Sequence, residues 1–298
     1  MPESTPLSAE TKAARASSFG GAASLYERYR PGPPLEAVEW VLPERVGTVV
    51  DLGAGTGALT RLLVGRVDQV VAVEPDDRMR AVLAEAVPGA RAVAGRGEAI
   101  PLPDGSVDAV LASSSWHWME TVPTLREIAR VLVPGGVVSA MWSGPDPDSG
   151  LVAQAQALLG AGAGAGGDGD GDGDGDASAS ASASGSAATA MGIDEESQAE
   201  LSAAMSDQNN LIQSLEIPPG LPFDRPEKKV ITWNVALNAD ELIGLLGTFS
   251  WVILMDDTAR ERLFETARRV LKDALGVSGD ATVDVGYRAE VFKARRHD

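Results

Sequence analysis

The run VVDLGAGTGALT at residues 49–60 places Gly53, Gly55 and Gly57 at alternate positions between an apolar stretch and a helical one. Glycines here let the chain turn sharply and let backbone N–H groups approach a ligand without a Cβ in the way. With Ala58 the run also satisfies the G-x-G-x-x-[GA] fingerprint of dinucleotide sites. Glu74 ends the next apolar stretch, about 20 residues on, where a carboxylate can accept the hydroxyls of a ribose. The ligand expected is therefore nucleoside-like. The glycines and Glu74 alone leave two kinds open: a dinucleotide, or a nucleoside bearing an amino-acid chain. Asp51, two residues before the turn, separates them. A carboxylate there repels a pyrophosphate and favours a ligand that carries an ammonium or sulfonium charge.

These residues need a scaffold, and the chain supplies an alternation. Apolar strands are expected at Val46–Leu52, Gln69–Glu74, Arg91–Ala94, Val107–Ser113 and Val137–Trp142. Helices are expected at Thr60–Val64, Arg78–Ala86 and Thr121–Leu132, the last stopped by VPGG at 133–136, a tight turn ahead of the fifth strand. An interrupted helix is expected within Ser24–Leu42. Asp76 and Asp77 either cap the helix after Glu74 or serve the ligand. Strand–helix alternation with nearly all-apolar strands implies an α/β fold, a parallel sheet covered on both faces, with ligands outside the carboxyl ends of the strands. Beyond residue 226, strands are expected at Lys228–Val235 and Thr282–Ala294, and helices at Ala239–Gly247 and Asp257–Ala274.

Between these halves lies GAGAGAGGDGDGDGDGDASASASASGSAATA, within residues 159–190. Gly, Asp, Ala and Ser cannot build a core, and the large aliphatic residue that each unit of a calcium-binding β-roll requires is missing. The segment reads as a disordered insertion. Residues 1–18 read as a flexible N-terminus, so that 19–298 form one interrupted domain.

Four stretches in order, VVDLGAGTGALT, VVAVEPDDRM, GEAIPLPDGSVDAVLASSSWHWM and EIARVLVPGGVVSAMW, resemble the class I S-adenosylmethionine-dependent methyltransferases, of the small-molecule group often called methyltransferase type 11. They cover residues 46–142. SLYERYRPGPP at 24–34 and GTFSWVILMDD at 247–257 look like a subgroup that includes trans-aconitate methyltransferase-like proteins. The resemblance implies a Rossmann-like, doubly wound, seven-stranded sheet of order 3-2-1-4-5-7-6 with an antiparallel last strand and helices on both faces. It implies S-adenosylmethionine as cofactor. Asp51, Gly53, Gly55 and Gly57 would surround its methionine part and Glu74 would bind its ribose, with Pro75 shaping the following loop and Ser113 ending the fourth strand beside it. Many relatives place an Asp two residues before the Glu of the third loop, facing adenine; here that residue is Arg96. Gly97 and Glu98 are the expected substitutes.

The methyl acceptor is expected beyond the fourth strand, at SSSWHWM. Trp116 and Trp118 either line an apolar pocket or pack the core. Histidine is the residue type suited to proton transfer near neutral pH, so His117 is the candidate general base, against a purely structural role. Tyr26 and Arg30 are candidates for closing over the site or binding an acidic substrate. Met191, Met205, Leu211, Trp233, Phe249 and Trp251 line a pocket or pack the core.

Composition narrows the function classes. A net charge of −18, still about −13 without the five aspartates of the GD repeat, disfavours nucleic acid, and no [DN]-P-P-[YF] motif of base and amide methylation follows the fourth strand. The chain has no cysteine and two histidines, which excludes thiol nucleophiles and thiolate or His-rich metal sites; no metal is expected. No apolar run spans a bilayer and no signal pattern opens the sequence, so a cytoplasmic protein without membrane contact is expected. The function expected is methyl transfer to a small molecule. The alternatives are a nicotinamide-dependent oxidoreductase and a non-catalytic cofactor-binding protein of the same fold.

Overall fold

The structure, a computed structural model, describes residues 32–146, 148–149, 214–248, 250–253, 255–276 and 279–297. The N-terminal segment 1–18, Tyr26, Arg30 and the low-complexity insertion at 159–190 lie outside the described residues, as do Met191, Met205, Leu211 and Phe249.

Seven strands form one sheet of order β3-β2-β1-β4-β5-β7-β6. β1 (Thr48–Leu52), β2 (Gln69–Val73), β3 (Arg91–Val93), β4 (Val107–Ser113) and β5 (Leu132–Pro145) run parallel, and β7 (Thr282–Arg295) is antiparallel to both β5 and β6 (Glu227–Asn238). The expected order and the antiparallel last strand are both present. The switch point lies between β1 and β4, so their carboxyl ends open onto a crevice.

The parallel strands are apolar on both sides because both sides are covered. On one face, Val50, Leu52, Val110, Ala112, Val138, Ala140 and Trp142 pack with Leu125, Ile128 and Val131 of helix α4 (Thr121–Val131). On the other, Val49, Ala109, Leu111, Val137 and Met141 meet Ala37, Val38 and Val41 of α1 (Leu35–Val41) and Leu59 and Leu63 of α2 (Ala58–Leu63). Helix α3 (Asp77–Ala86) sends Leu83 onto Ala54 and Ala72. Helices α5 (Ala239–Leu246), α6 (Ser250–Ile253) and α7 (Asp257–Leu275) complete the described elements. Leu245 and Leu242 of α5 cover Leu237 and Val285.

Two expectations of extent are corrected. VPGG does not form a turn ahead of β5; it lies within the strand, where Leu132 already pairs with Val107 and the register slips before Ala109 meets Val137. Gly135 takes up that slip at φ +77°, a conformation a side chain resists. β6 also continues to Asn238, past the expected end at Val235, because β7 offers it a partner at every residue from Lys293 to Thr282.

Arg130 fastens the loop that delivers β4. Its guanidinium donates to the Leu102 and Ile100 carbonyls, to Asp104 at 2.7 Å and to Glu127 at 2.8 Å. This guanidinium holds the Glu127 carboxyl below the usual range. Replacing Arg130 with Ala strips four acceptors at once. The expected loss is about 2 kcal/mol of stability in urea denaturation, with the native spectrum retained.

Candidate active site

Each of the three glycines answers a different need. Gly53 turns at φ +69°, and a Cβ there would stand 2.6 Å from the Cβ of Ser115. Gly57, at φ +99°, lies against Leu83 and Val87 of the neighbouring helical segment. Gly55, at φ +57°, is the open one: its nearest neighbour would be the sulfur of Met79 at 4.0 Å. Gly53 and Gly57 thus let elements pack closely, while Gly55 leaves bare backbone beside free space.

Two buried carboxylates stand around this turn. Glu74 is 6% exposed and accepts from Gly55 N at 2.8 Å with one oxygen and from Asp76 N at 2.9 Å with the other. It holds the glycine turn and the loop after β2 in one piece, and Pro75 sits between the two anchoring points. Burial pushes its carboxyl above the ordinary value. Asp51 is 1% exposed and accepts from the Thr60 hydroxyl at 2.6 Å. Burial, with the Glu74 charge added, raises its pKa to about 7 despite the bond from Thr60. The pair forms a desolvated, electronegative floor that a cation would relieve. Asp76 is the N-cap of α3, accepting from Arg78 N and Met79 N. Its expected role as a cap is the one observed.

The residues after β4 lock onto this turn. Ser114 takes a left-handed φ of +53°, the one described non-glycine residue to do so, and its N–H donates to the Met141 carbonyl. The reversal sends Ser115 back over β1, where its hydroxyl donates to the Leu52 carbonyl at 2.7 Å. Ser113 is half-buried at the end of β4. Trp116, His117 and Trp118 form one turn of 3-10 helix. Trp116 is 5% exposed and belongs to the core. Of its two expected roles the structure favours packing. His117 and Trp118 are half-buried, their rings 4.6 Å apart, on the side nearer solvent.

In the third loop, Gly97 and Glu98 also have roles within the fold itself. A Cβ at Gly97 would sit 2.8 Å from both the Met119 sulfur and the Thr124 hydroxyl, so its glycine is explained by packing. One oxygen of Glu98 accepts from Glu120 N at 2.8 Å, anchoring the start of α4, and the other lies 3.9 Å from Arg96. Arg96 points outward, its side chain 72% exposed. Ser115 and Thr60 are site residues that sequence reasoning missed. Thr60 had a signal, since it lies one helical turn inside α2 and faces back to Asp51; Ser115 had none apart from its place in SSS.

A family model described as a methyltransferase domain matches residues 50–140. Over these residues, which run from β1 into β5, the chain resembles a methyltransferase domain. An uncharacterised methyltransferase of Mycobacterium tuberculosis is 48% identical over 137 residues, which is 46% of this chain and 56% of that protein. An uncharacterised methyltransferase of Schizosaccharomyces pombe is 36% identical over 123 residues, 40% of this chain and 49% of its own. A malonyl-[acyl-carrier protein] O-methyltransferase of Methylococcus capsulatus is 35% identical over 130 residues, 40% of this chain and 47% of that one. The chain thus spans about half the length of these relatives. A solved structure from Anaeromyxobacter dehalogenans, provisionally named a type II methyltransferase, aligns over 90% of this chain and 98% of its own at 21% identity, with a TM-score of 0.53, and shares the fold. Among the described residues, no cluster of His, Asp or Glu could hold a metal, and no helix is long and apolar enough to cross a membrane.

The raised pKa of Asp51 fixes the sign of a pH effect. The folded state holds this proton up to about pH 7, whereas the unfolded chain releases it near 3.8, so the group's contribution to stability is full below 3.8 and falls as pH rises to 7. Asp51→Asn removes the charge and keeps an oxygen for Thr60. Its expected gain in urea denaturation is up to about 4 kcal/mol at pH 8 and shrinks towards pH 5.

Proposed function

We propose that this protein transfers the methyl group of S-adenosylmethionine to a small-molecule acceptor. The observation that carries the reading is the juxtaposition of open backbone at Gly55 with two buried carboxylates, Asp51 and Glu74, at the switch point of the sheet. A desolvated pair of negative charges suits a ligand with an ammonium and a sulfonium and repels the pyrophosphate of a nicotinamide cofactor. The matched domain supports the same ligand.

In this reading the cofactor supplies an activated methyl on a good, neutral leaving group. Asp51 and the glycine turn would hold its amino-acid end. Glu74 keeps lone pairs free beyond its two backbone bonds and would take the ribose hydroxyls. What remains for the chain is to hold acceptor and methyl in line and keep bulk water out. The Ser114–Ser115 reversal supports this by tying the acceptor side to the carbonyl of Leu52. His117 and Trp118, on the half-buried turn after β4, stand where the acceptor would be received, and His117 would serve as base for an acceptor that is not already ionised. The backbone of Gly97 and the side chain of Glu98 would contribute at the adenine side. Tyr26 and Arg30 keep their proposed role in covering the site. The acceptor is proposed to be a small molecule, with neither nucleic acid nor membrane as partner, and the setting cytoplasmic.

Calorimetric titration with S-adenosylmethionine and S-adenosylhomocysteine, beside NADH and NADPH, tests this. The expected outcome is micromolar affinity for the first pair alone, abolished in Gly55→Val and Asp51→Ala. Affinity for a nicotinamide cofactor instead would turn the reading to an oxidoreductase. Binding of the first pair without turnover of any acceptor would favour a cofactor-binding protein.

A further inference from the structure

The face of the sheet that carries Trp142 changes character towards the carboxyl end of β5. Lower down it is closed by Phe292 and Ala294 of β7, both buried. Higher up, Arg288 and Glu290 on the same face of β7 are only half-buried, and Lys228, Val230, Thr232 and Asn234 of β6 are exposed. The opposite face of these strands is buried from Val285 to Val291 at every second residue. So one side of the β6–β7 pair is core and the other is an open, polar floor.

Trp142 stands at the edge of this floor. It pairs with Glu290 across the β5–β7 ladder, which puts the two side chains on one face. Its ring meets Phe292 edge-on at 5.9 Å, and Lys228 lies over that Phe292 ring at 5.2 Å. Its indole nitrogen is buried and has no hydrogen-bond partner among the described residues. An indole N–H only donates, and a buried donor left unmatched demands an explanation. Beside it are two cations and one shielded anion. Glu290 accepts from Arg288 at 2.6 Å and pairs with Lys228 at 2.8 Å, its side chain 15% exposed. Asp148 reaches Arg288 only at 3.8 Å and is 85% exposed, so solvent screens that contact. The cluster therefore keeps one positive charge that no buried group answers.

Its place relative to the reaction follows from the ladder. Trp142 is the residue after Met141, which pairs with Ser113 and accepts from Ser114 N. The backbone of Trp142 thus follows directly on the residue that holds the reversal bringing Ser115 to the glycine turn. We propose that Trp142, Arg288 and Lys228 form an acceptor subsite that anchors a carboxylate of the small molecule to be methylated. One carboxylate oxygen takes the indole N–H and the other takes the guanidinium. Oxygens so engaged are poor nucleophiles, so this carboxylate is the handle, and the methyl goes to a second group on the same molecule, a hydroxyl or another carboxylate. An inorganic phosphate or a phosphate ester, carrying more charge than the cluster has to spare, fits less well.

The inference rests on the methyl-transfer reading, and one experiment separates their fates. The full-length protein is incubated with S-adenosylmethionine and a panel of hydroxy acids, dicarboxylic acids and phosphate esters, each acid beside its amide, and S-adenosylhomocysteine release is followed. Cofactor affinity is measured on the same preparations. Acids are expected to turn over with a KM at least about tenfold below that of the matching amide. Trp142→Phe, which keeps a ring against Phe292, and Arg288→Gln, which changes a partly exposed residue, should each raise the KM of the acid about tenfold, with the kcat and the cofactor affinity near those of the parent. The amide should be indifferent to both changes. Equal use of acid and amide, preference for phosphate esters, or acid kinetics untouched by both variants would overturn the subsite while leaving the methyl-transfer reading in place. Absence of cofactor binding would remove both.

Discussion

The two-ended grip of the Glu74 carboxylate sets the geometry on which the rest of the site depends. One oxygen holds the N–H of Gly55 and the other the N–H of Asp76. Without it, the glycine turn after β1 and the loop after β2 would be two independent pieces of irregular backbone, each with an unmatched donor. With it, they move as one unit. Asp76 then caps α3, and α3 lays Leu83 against Gly57, so the turn is gripped from both ends. Burial does most to raise the cost of ionising Asp51, and the same carboxylate adds to it.

Such a site stores an imbalance. Asp51 and Glu74 are held out of water with few charges to answer them, and Asp51 sheds its charge near neutrality. A ligand that brings positive charge is favoured by more than its contacts, because it restores the ionised state the protein otherwise resists. The strained φ of Ser114 belongs to the same pattern. Both are local costs placed where a ligand would stand, and the apolar strands on either side bear them.

Much of this was legible in the chain. The alternation of apolar runs and helical stretches marked β1 to β5, because strands covered on both faces leave an unmistakable run of Val, Leu, Ile and Ala. The glycine turn, Asp51 and Glu74 announced themselves by spacing. What could not be read depends on partners distant in sequence. That Gly97 also lets Met119 and Thr124 pack closely is invisible in its sequence neighbours. Nor does the local sequence reveal that Glu120 N takes one of the Glu98 oxygens. VPGG spells a turn, yet Leu132 already pairs with Val107 ahead of it, so it becomes an irregularity within β5. Trp142 and Glu290 are 148 residues apart, and only the register of β7 makes them neighbours.

That register has a consequence for synthesis. β7 lies between β5 and β6 but follows both in the chain. Until it leaves the ribosome, β5 has a bare edge and β6 has no partner in the sheet at all. The parallel half can assemble first around α1 to α4, while β6 waits with a backbone ladder of 12 residues unpaired. Lys228 and Lys229 follow Glu227 at the start of that strand, and such charges discourage it from pairing with other nascent chains in the meantime. Completion of the sheet is thus timed by β7, inserted as a wedge between two strands made before it.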